Sequence, residues 1–212
     1  TGNIKISGGT VTANGGYFAA GIGGGEYNTA GDILISGGTV IAKRDASKDS
    51  GTMNPAKDVG DGATNSNEDR AKVYARYTLN GSAKLYLQSG FINYDPLDTI
   101  KPSINSGYIF NGTPETYTAI RVYGAQALSD NFCIETGKTM TVMSGASLNT
   151  GNYGIYVQNG GTLTRDGTVN GNIYYPLTLT NCTAGSSNTS LYNDERFGKA
   201  DATISLTPTL EG

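Results

Sequence analysis

Apolar and polar residues alternate in short runs along this chain. Ile4-Lys5-Ile6 is followed by Ser7-Gly8-Gly9 and then by Thr10-Val11-Thr12-Ala13, so apolar positions recur at every second residue on either side of a glycine corner. That period of two is the pattern of a half-buried strand. Ser-Gly-Gly supplies a bend in which positive φ costs little. The run from Gly2 to Ala13 returns as Gly31 to Ala42, an offset of 29 residues with nine of twelve positions identical. Worn copies run Leu85 to Ile92, Ile104 to Ile109, Met140 to Leu148 and Ile155 to Leu163, the last two with one extra corner residue. A strand–corner–strand unit recurring every ~20–50 residues marks a stacked solenoid. The pattern therefore predicts an all-β stack with Ile4, Ile6, Val11, Ile33, Ile35, Val40, Leu85, Leu87, Val142, Leu148, Ile155 and Val157 pointing inward in ladders, Ile4 upon Ile33.

Each unit needs a third side. In the first it is Ala19 to Gly25, where Gly21, Gly23, Gly24 and Gly25 allow backbones to approach closely, and in the second Asp58-Val59-Gly60-Asp61-Gly62. Between them lies a polar, charged stretch, and 43–70 reads as a loop insertion in a single domain spanning 1–212. Such insertions map to one face of a repeat protein. The last segment, about 200–212, reads as a terminal strand or the start of a linker, and 193–199 as the only helical turn.

Asn-Gly at Asn14, Asn80, Asn111, Asn159 and Asn170 keeps a second architecture open. That dipeptide between alternating runs is a strong hairpin signal. Val73 to Leu79 and Ala83 to Leu87 would pair around Asn80-Gly81, and a β-sandwich is the alternative fold.

Composition narrows the function. The 31 glycines do not fall every third residue, which excludes collagen, and a net charge of −3 with only 16% charged residues argues against nucleic-acid binding. No run approaches the length of a membrane span. Histidine and tryptophan are absent, which removes Ser-His and Cys-His pairs and imidazole ligands. Any metal site would be all-oxygen, favouring calcium. Cys133 and Cys182 fit no zinc spacing; they read as two buried thiols or as one bridge. The chain opens directly in a repeat and reads as part of a longer multidomain protein.

The run Ile-x-Ile-Ser-Gly-Gly-Thr-Val-x-Ala, with Gly21 to Gly25 behind it, resembles a repeat in large surface proteins of anaerobic gut bacteria. The later run Gly137 to Leu148 resembles it too, and the likeness covers 1–42 and 133–171. It implies a right-handed parallel β-helix of pectate-lyase-like architecture and an extracellular, cell-surface or secreted location. It also implies a non-catalytic role in adhesion, glycan or host-matrix binding, or as a structural stalk. It implies no catalytic residue, because the repeated positions are structural.

The competing function is a β-helix lyase or glycoside hydrolase acting on acidic polysaccharide. Polygalacturonases carry Asn-Thr-Asp, an Asp-Asp pair and Gly-His-Gly, and none of these occurs. Asp58, Asp61, Glu68, Asp69 and Arg70 are the only charged cluster of the kind a lyase needs, and Asp58 with Asp61 is the candidate calcium pair. The Thr-x-Thr runs at Thr10, Thr139, Thr162 and Thr178 are interrupted by Ile41, Asn93 and Asn149, as an ice-binding face would not be. Asn-x-Ser/Thr triplets at Asn80, Asn111, Asn181 and Asn188 read as turns. The 14 tyrosines are more informative. Aligned repeats place Lys5, Leu34, Tyr86, Thr141 and Tyr156 in one outward column, and Tyr86, Tyr156, Tyr74 and Tyr94 are the candidate glycan-binding residues. Aromatic faces with nearby polar groups pack against sugar rings.

Overall fold

The computed structural model describes residues 2–45, 53–65, 73–91 and 100–175. All regular structure among them is β, and no helix is long and apolar enough to cross a membrane. Tyr94, Cys182 and the segments 193–199 and 200–212 lie outside the described residues.

Four passes of the chain build a first stack. β1 (Ile4–Asn14) lies parallel to β3 (Ile33–Lys43), with Ile4 opposite Ile33, Ile6 opposite Ile35, Val11 opposite Val40 and Ala13 opposite Ala42. The register shifts at Ser7 to Thr10, where Gly9 has φ 74° and Gly38 has φ 79°. The Ser-Gly-Gly corner thus stays inside a continuous strand and bends it. Between these passes runs β2 (Ile22–Gly23) on the third side, pairing with β5 (Val59–Gly60), Ile22 opposite Val59. In sequence β5 is bracketed by an antiparallel pair, β4 (Met53–Asn54) with β6 (Thr64–Asn65). Of the predicted insertion, 46–52 and 66–70 are not described, whereas Ala56, Val59 and Ala63 are buried.

The third pass corrects one expectation. β7 (Thr78–Leu79) and β8 (Lys84–Leu87) do not form a hairpin around Asn80-Gly81. Both lie parallel on β3, β7 against Leu34 and Ile35, β8 against Thr39 to Ala42. Asn80-Gly81 therefore stands where the earlier units have their Ser-Gly-Gly corner, with Gly81 at φ 64°. The fourth pass repeats this, β9 (Ser103–Ile104) on β7 and β10 (Gly107–Asn111) on β8. Two inward ladders result: Ile6–Ile35–Leu79–Ile104 and Val11–Val40–Leu85–Ile109.

At β10 the chain turns back. β11 (Ala119–Tyr123) pairs antiparallel with it, Tyr108 opposite Val122 and Phe110 opposite Ile120. A second stack then follows. β14 (Thr139–Val142) lies parallel on β11, and β16 (Thr162–Arg165) on β14. A separate sheet holds β12 (Ala125–Ala127), β13 (Phe132–Ile134), β15 (Ser147–Val157) and β17 (Thr168–Tyr174), all parallel, with both β12 and β13 on β15. Among the described pairs only β10–β11 and β4–β6 are antiparallel, which a Greek-key sandwich would not give. Nor is the chain one uninterrupted parallel stack: its main sheet is mixed, and its nine strands form an open path.

Directly paired residues share a face of a sheet. Ile109 packs with Leu85 and Leu87 in the first core, whereas Tyr108 and Phe110 pack with Ile120, Val122, Met140 and Val142 in the second. The core therefore changes sides of the sheet at β10. Strand direction and core face thus reverse together at this joint. Gln126 ties them, its Nε2 donating to the Gly81 carbonyl at 2.9 Å and to that of Tyr123 at 3.2 Å.

Of the twelve predicted core residues, Ile4, Ile6 and Val11 are only half-buried, because β1 has a neighbour on one side alone. Ile35 is fully buried, with Ile6 and Leu79 on either side. Ile35→Ala should cost about 2–5 kcal/mol through lost transfer energy and a residual cavity. Ile6→Ala should cost about 1–2 kcal/mol, since less area leaves water there. Guanidinium denaturation of the two variants measures the difference, and equal costs would contradict the stacking.

Candidate functional site

The outward column read from the repeats is dispersed over the structure. Lys5 and Leu34 align with Thr78; Tyr86 aligns with Ile41 and Phe110; Thr141 with Arg121 and Thr164; Tyr156 with Cys133 and Tyr174. The cause is a choice between two turn signals. Asn80-Gly81 and Ser89-Gly90 both flank Lys84 to Leu87, and the chain bends at the first, so Tyr86 belongs to the strand after the corner and not before it.

Tyr86 points away from the first core yet is only 8% exposed. Phe110 stacks on it at 4.1 Å between ring centroids and 15°, and Tyr117 meets both rings edge-on at 6.4 and 5.3 Å. Tyr117 is braced by the Lys138 ammonium 4.0 Å from its ring centre, and Lys138 is held by Glu135 at 2.8 Å. With Phe110 against its face, Tyr86 offers a ligand its edge and hydroxyl. Tyr156 stacks on Tyr174 at 4.7 Å in the other sheet. Tyr74 lies on the third side, with the Arg76 guanidinium 5.4 Å from its ring.

A cleft of about 450 Å³ opens where the two stacks meet. Its floor is the outer face of β8 and β10, with Tyr86, Tyr108, Phe110 and Lys84; Tyr117 closes one end, and the corner from Ala127 to Phe132 forms the wall. It exists because β12 and β13 are the first strands of the second sheet, while the main sheet continues beneath them into β8 and β3. Exposed Ser82, Lys84, Ser129 and Asp130 form its rim. The Asn131 side chain is fixed by its Oδ1 accepting from the Gly154 backbone N–H at 2.8 Å, and the Asn131 backbone N–H donates to the Asp130 carboxylate at 2.7 Å. Tyr108 donates to the Ala127 carbonyl at 3.4 Å. One cation and one anion, Lys84 and Asp130, line the cleft. Sequence reasoning found Tyr86 but missed Lys84, Tyr108, Phe110, Tyr117 and Asn131, because β8, β10, the turn before β11 and the corner before β13 each supply part of the lining.

Burial pushes the Tyr86 hydroxyl up to about 12, helped by Tyr117 and Glu115 nearby, and burial also raises that of Tyr108. Both phenols stay neutral at physiological pH, available as hydrogen-bonding hydroxyls.

The two aspartates are buried, each 2% exposed. Asp58 accepts from the amides of Arg44 and Ser89, both at 2.8 Å. Asp61 accepts from the amides of Ala30 and Tyr74 at 2.8 and 3.0 Å and from Arg76 Nε at 2.7 Å. Their carboxylates join successive passes through N–H donors. Between them Gly60 has φ 138°, and a Cβ there would run into the Tyr74 carbonyl. No cluster of three or more metal-ligating side chains occurs among the described residues. Cys133 is half-buried on β13.

With this geometry in view, a protein-family model described as a beta helix repeat matches residues 4–26. The first pass carries a β-helix repeat. No curated protein and no solved structure matches the chain. The matched β-helix segment holds β1 and β2 and stops short of every cleft residue.

Asp61→Ala leaves three donors without their acceptor and should destabilise the fold by about 3 kcal/mol or more, read by chemical denaturation. Tyr86 gives a pH signature. The folded protein holds its proton more tightly than the unfolded chain, so this contribution is complete below pH 10 and lost as pH rises from 10 toward about 12. Stability of Tyr86→Phe should fall less steeply over that window; equal slopes would place the hydroxyl in water.

Proposed function

We propose that the chain is a non-catalytic module of a cell-surface or secreted protein, built as a right-handed parallel β-helix, whose joint cleft binds a neutral glycan. The cleft carries this reading: a rigid aromatic floor under a rim of hydroxyl, amide and balanced charged groups. Sugars present apolar C–H surface and many hydroxyls; aromatic edges offer the first an apolar contact, and the phenol, amide and hydroxyl groups offer the second hydrogen-bond partners. The volume lies within the range of small-ligand pockets, roughly 300–1,000 Å³. Balanced lining charge favours a neutral ligand over a polyanion, which calls for clustered cations. Right-handed winding is the hand of about 98% of parallel β crossovers. The likeness of the repeat to surface proteins of anaerobic gut bacteria supports export.

A lyase or hydrolase needs a group ready to move a proton near neutrality. The Tyr86 hydroxyl, raised to about 12, is suited to donating a hydrogen bond and not to abstracting a proton. In this reading Asp58 and Asp61 are structural, so added calcium should leave the melting temperature unchanged.

Binding to xylan, glucomannan and mixed-linkage glucan tests the proposal by affinity electrophoresis, with reducing-end and unsaturated-uronide assays run beside it. At least one glycan should be retained and none cleaved. Tyr86→Phe keeps the ring and loses the hydroxyl, and should weaken binding about three- to tenfold, the worth of one hydrogen bond. Tyr156→Ala, on the other sheet, should leave binding unchanged. Retention of none of the three would favour a stalk, and product release an enzyme.

A further inference from the structure

The column that contains Tyr86 changes character along its length. Successive register partners are Thr12, Ile41, Tyr86, Phe110, Ile120 and Met140. In the first stack this is the outer face: Thr12 is exposed and Ile41 half-buried. From Phe110 onward the same face is the floor of the second core, where Ile120 is 2% and Met140 1% exposed. The neighbouring column behaves alike, running from exposed Thr10 through Thr39 and exposed Lys84 to buried Tyr108 and Val122. A polymer lying across these strands therefore meets an open surface in one direction and packed protein in the other.

Resting on the glycan reading above, we infer that the cleft takes the end of a glycan chain, with the rest of the chain leaving over Ile41 and Thr12. The terminal sugar sits against Tyr86, Phe110 and Tyr117, where the second core bars further passage. The next units cross β3 and β1, whose strands lie ~4.8 Å apart and carry Thr39, Thr10 and Thr12 as hydrogen-bonding side chains. A groove open at both ends would accept internal segments; this one is closed by the change of core face, a feature of the backbone topology and not of one movable side chain.

Stoichiometry distinguishes the two modes. The intact protein is titrated with xylohexaose, mannohexaose and cellohexaose, and with soluble xylan, glucomannan and mixed-linkage glucan of defined chain length. Analytical ultracentrifugation counts protein molecules per chain. End recognition gives one protein per chain at every length. A count that rises with chain length, with binding intact, overturns this inference and leaves the glycan reading standing. No binding to any of these glycans overturns both. Thr12→Arg obstructs the exit lane without touching the cleft floor. It should weaken binding of the hexasaccharide by at least threefold while leaving that of the matching disaccharide within twofold of the parent. An equal effect on the two lengths would place the outgoing chain elsewhere and reject the lane.

Discussion

Side chains on a strand alternate between faces, and at β10 that alternation serves two cores at once. Ile109 faces the first; Tyr108 and Phe110 face the second. Each stack would otherwise present an apolar end to water, the general liability of repeat architectures. Here each covers the other. Tyr86, Tyr108 and Phe110, outward on the first stack, lie over the end of the second core. Arg121 and Tyr123, outward on the second, lie over the end of the first: Arg121 stands 4.1 Å from the Phe91 ring centre, and Tyr123 packs on the first cluster. Antiparallel pairing makes this possible, because it keeps the sheet's hydrogen bonds while returning the chain on the opposite face.

The cleft is a by-product of the same joint. A two-fold change of face leaves part of the main sheet without a layer above it, and the first strands of the second sheet overhang that gap. Rings that must cap a core also line the gap, so they are already held by stacking and edge contacts. Such fixed groups lose little entropy when a ligand arrives. The arrangement offers hydroxyls and ring edges more than free ring faces, so in the proposed role hydrogen bonding would be the main source of selectivity.

Much of the fold was legible in the residues. The 29-residue offset gave the β1–β3 register on both sides of the corner but not at Ser7, which lies opposite Gly37, and Val59 lies opposite Ile22 as the second third side required. What could not be read was the reversal. Asn111-Gly112-Thr113-Pro114 is one of five Asn-Gly turn signals and is where the antiparallel β10–β11 pair turns, but a face change shows only when it is known which residues pair. The same gap hid the cleft, since Lys84, Tyr117 and Asn131 meet through non-local pairing. Asn80-Gly81 misled for a related reason: a hairpin turn and a corner between parallel passes use the same left-handed glycine, and only the neighbouring strand β3 decides between them. Asp58 and Asp61 fell in the stretch read as a loop insertion and as a candidate calcium pair because charge usually marks surface; burial became tolerable through N–H donors from adjacent passes.

Repeats and departures from repeat thus divide the work. Ladders such as Val11–Val40–Leu85–Ile109 need only apolar residues of suitable size at fixed spacing, and many sequences meet that demand. The joint is harder to satisfy, because each residue near it answers to a core, a cap and the opening between stacks. Phe110 illustrates the limit: it fills the second core, stacks on Tyr86 and fixes the edge of Tyr117. A smaller residue would leave a cavity in the core, and a polar one would bury an unsatisfied group. In the proposed binding role, variation in ligand would be open to the rim, at Ser82, Lys84, Ser129 and Asp130, where side chains reach solvent. The floor is fixed by the fold, and the rim is free to differ.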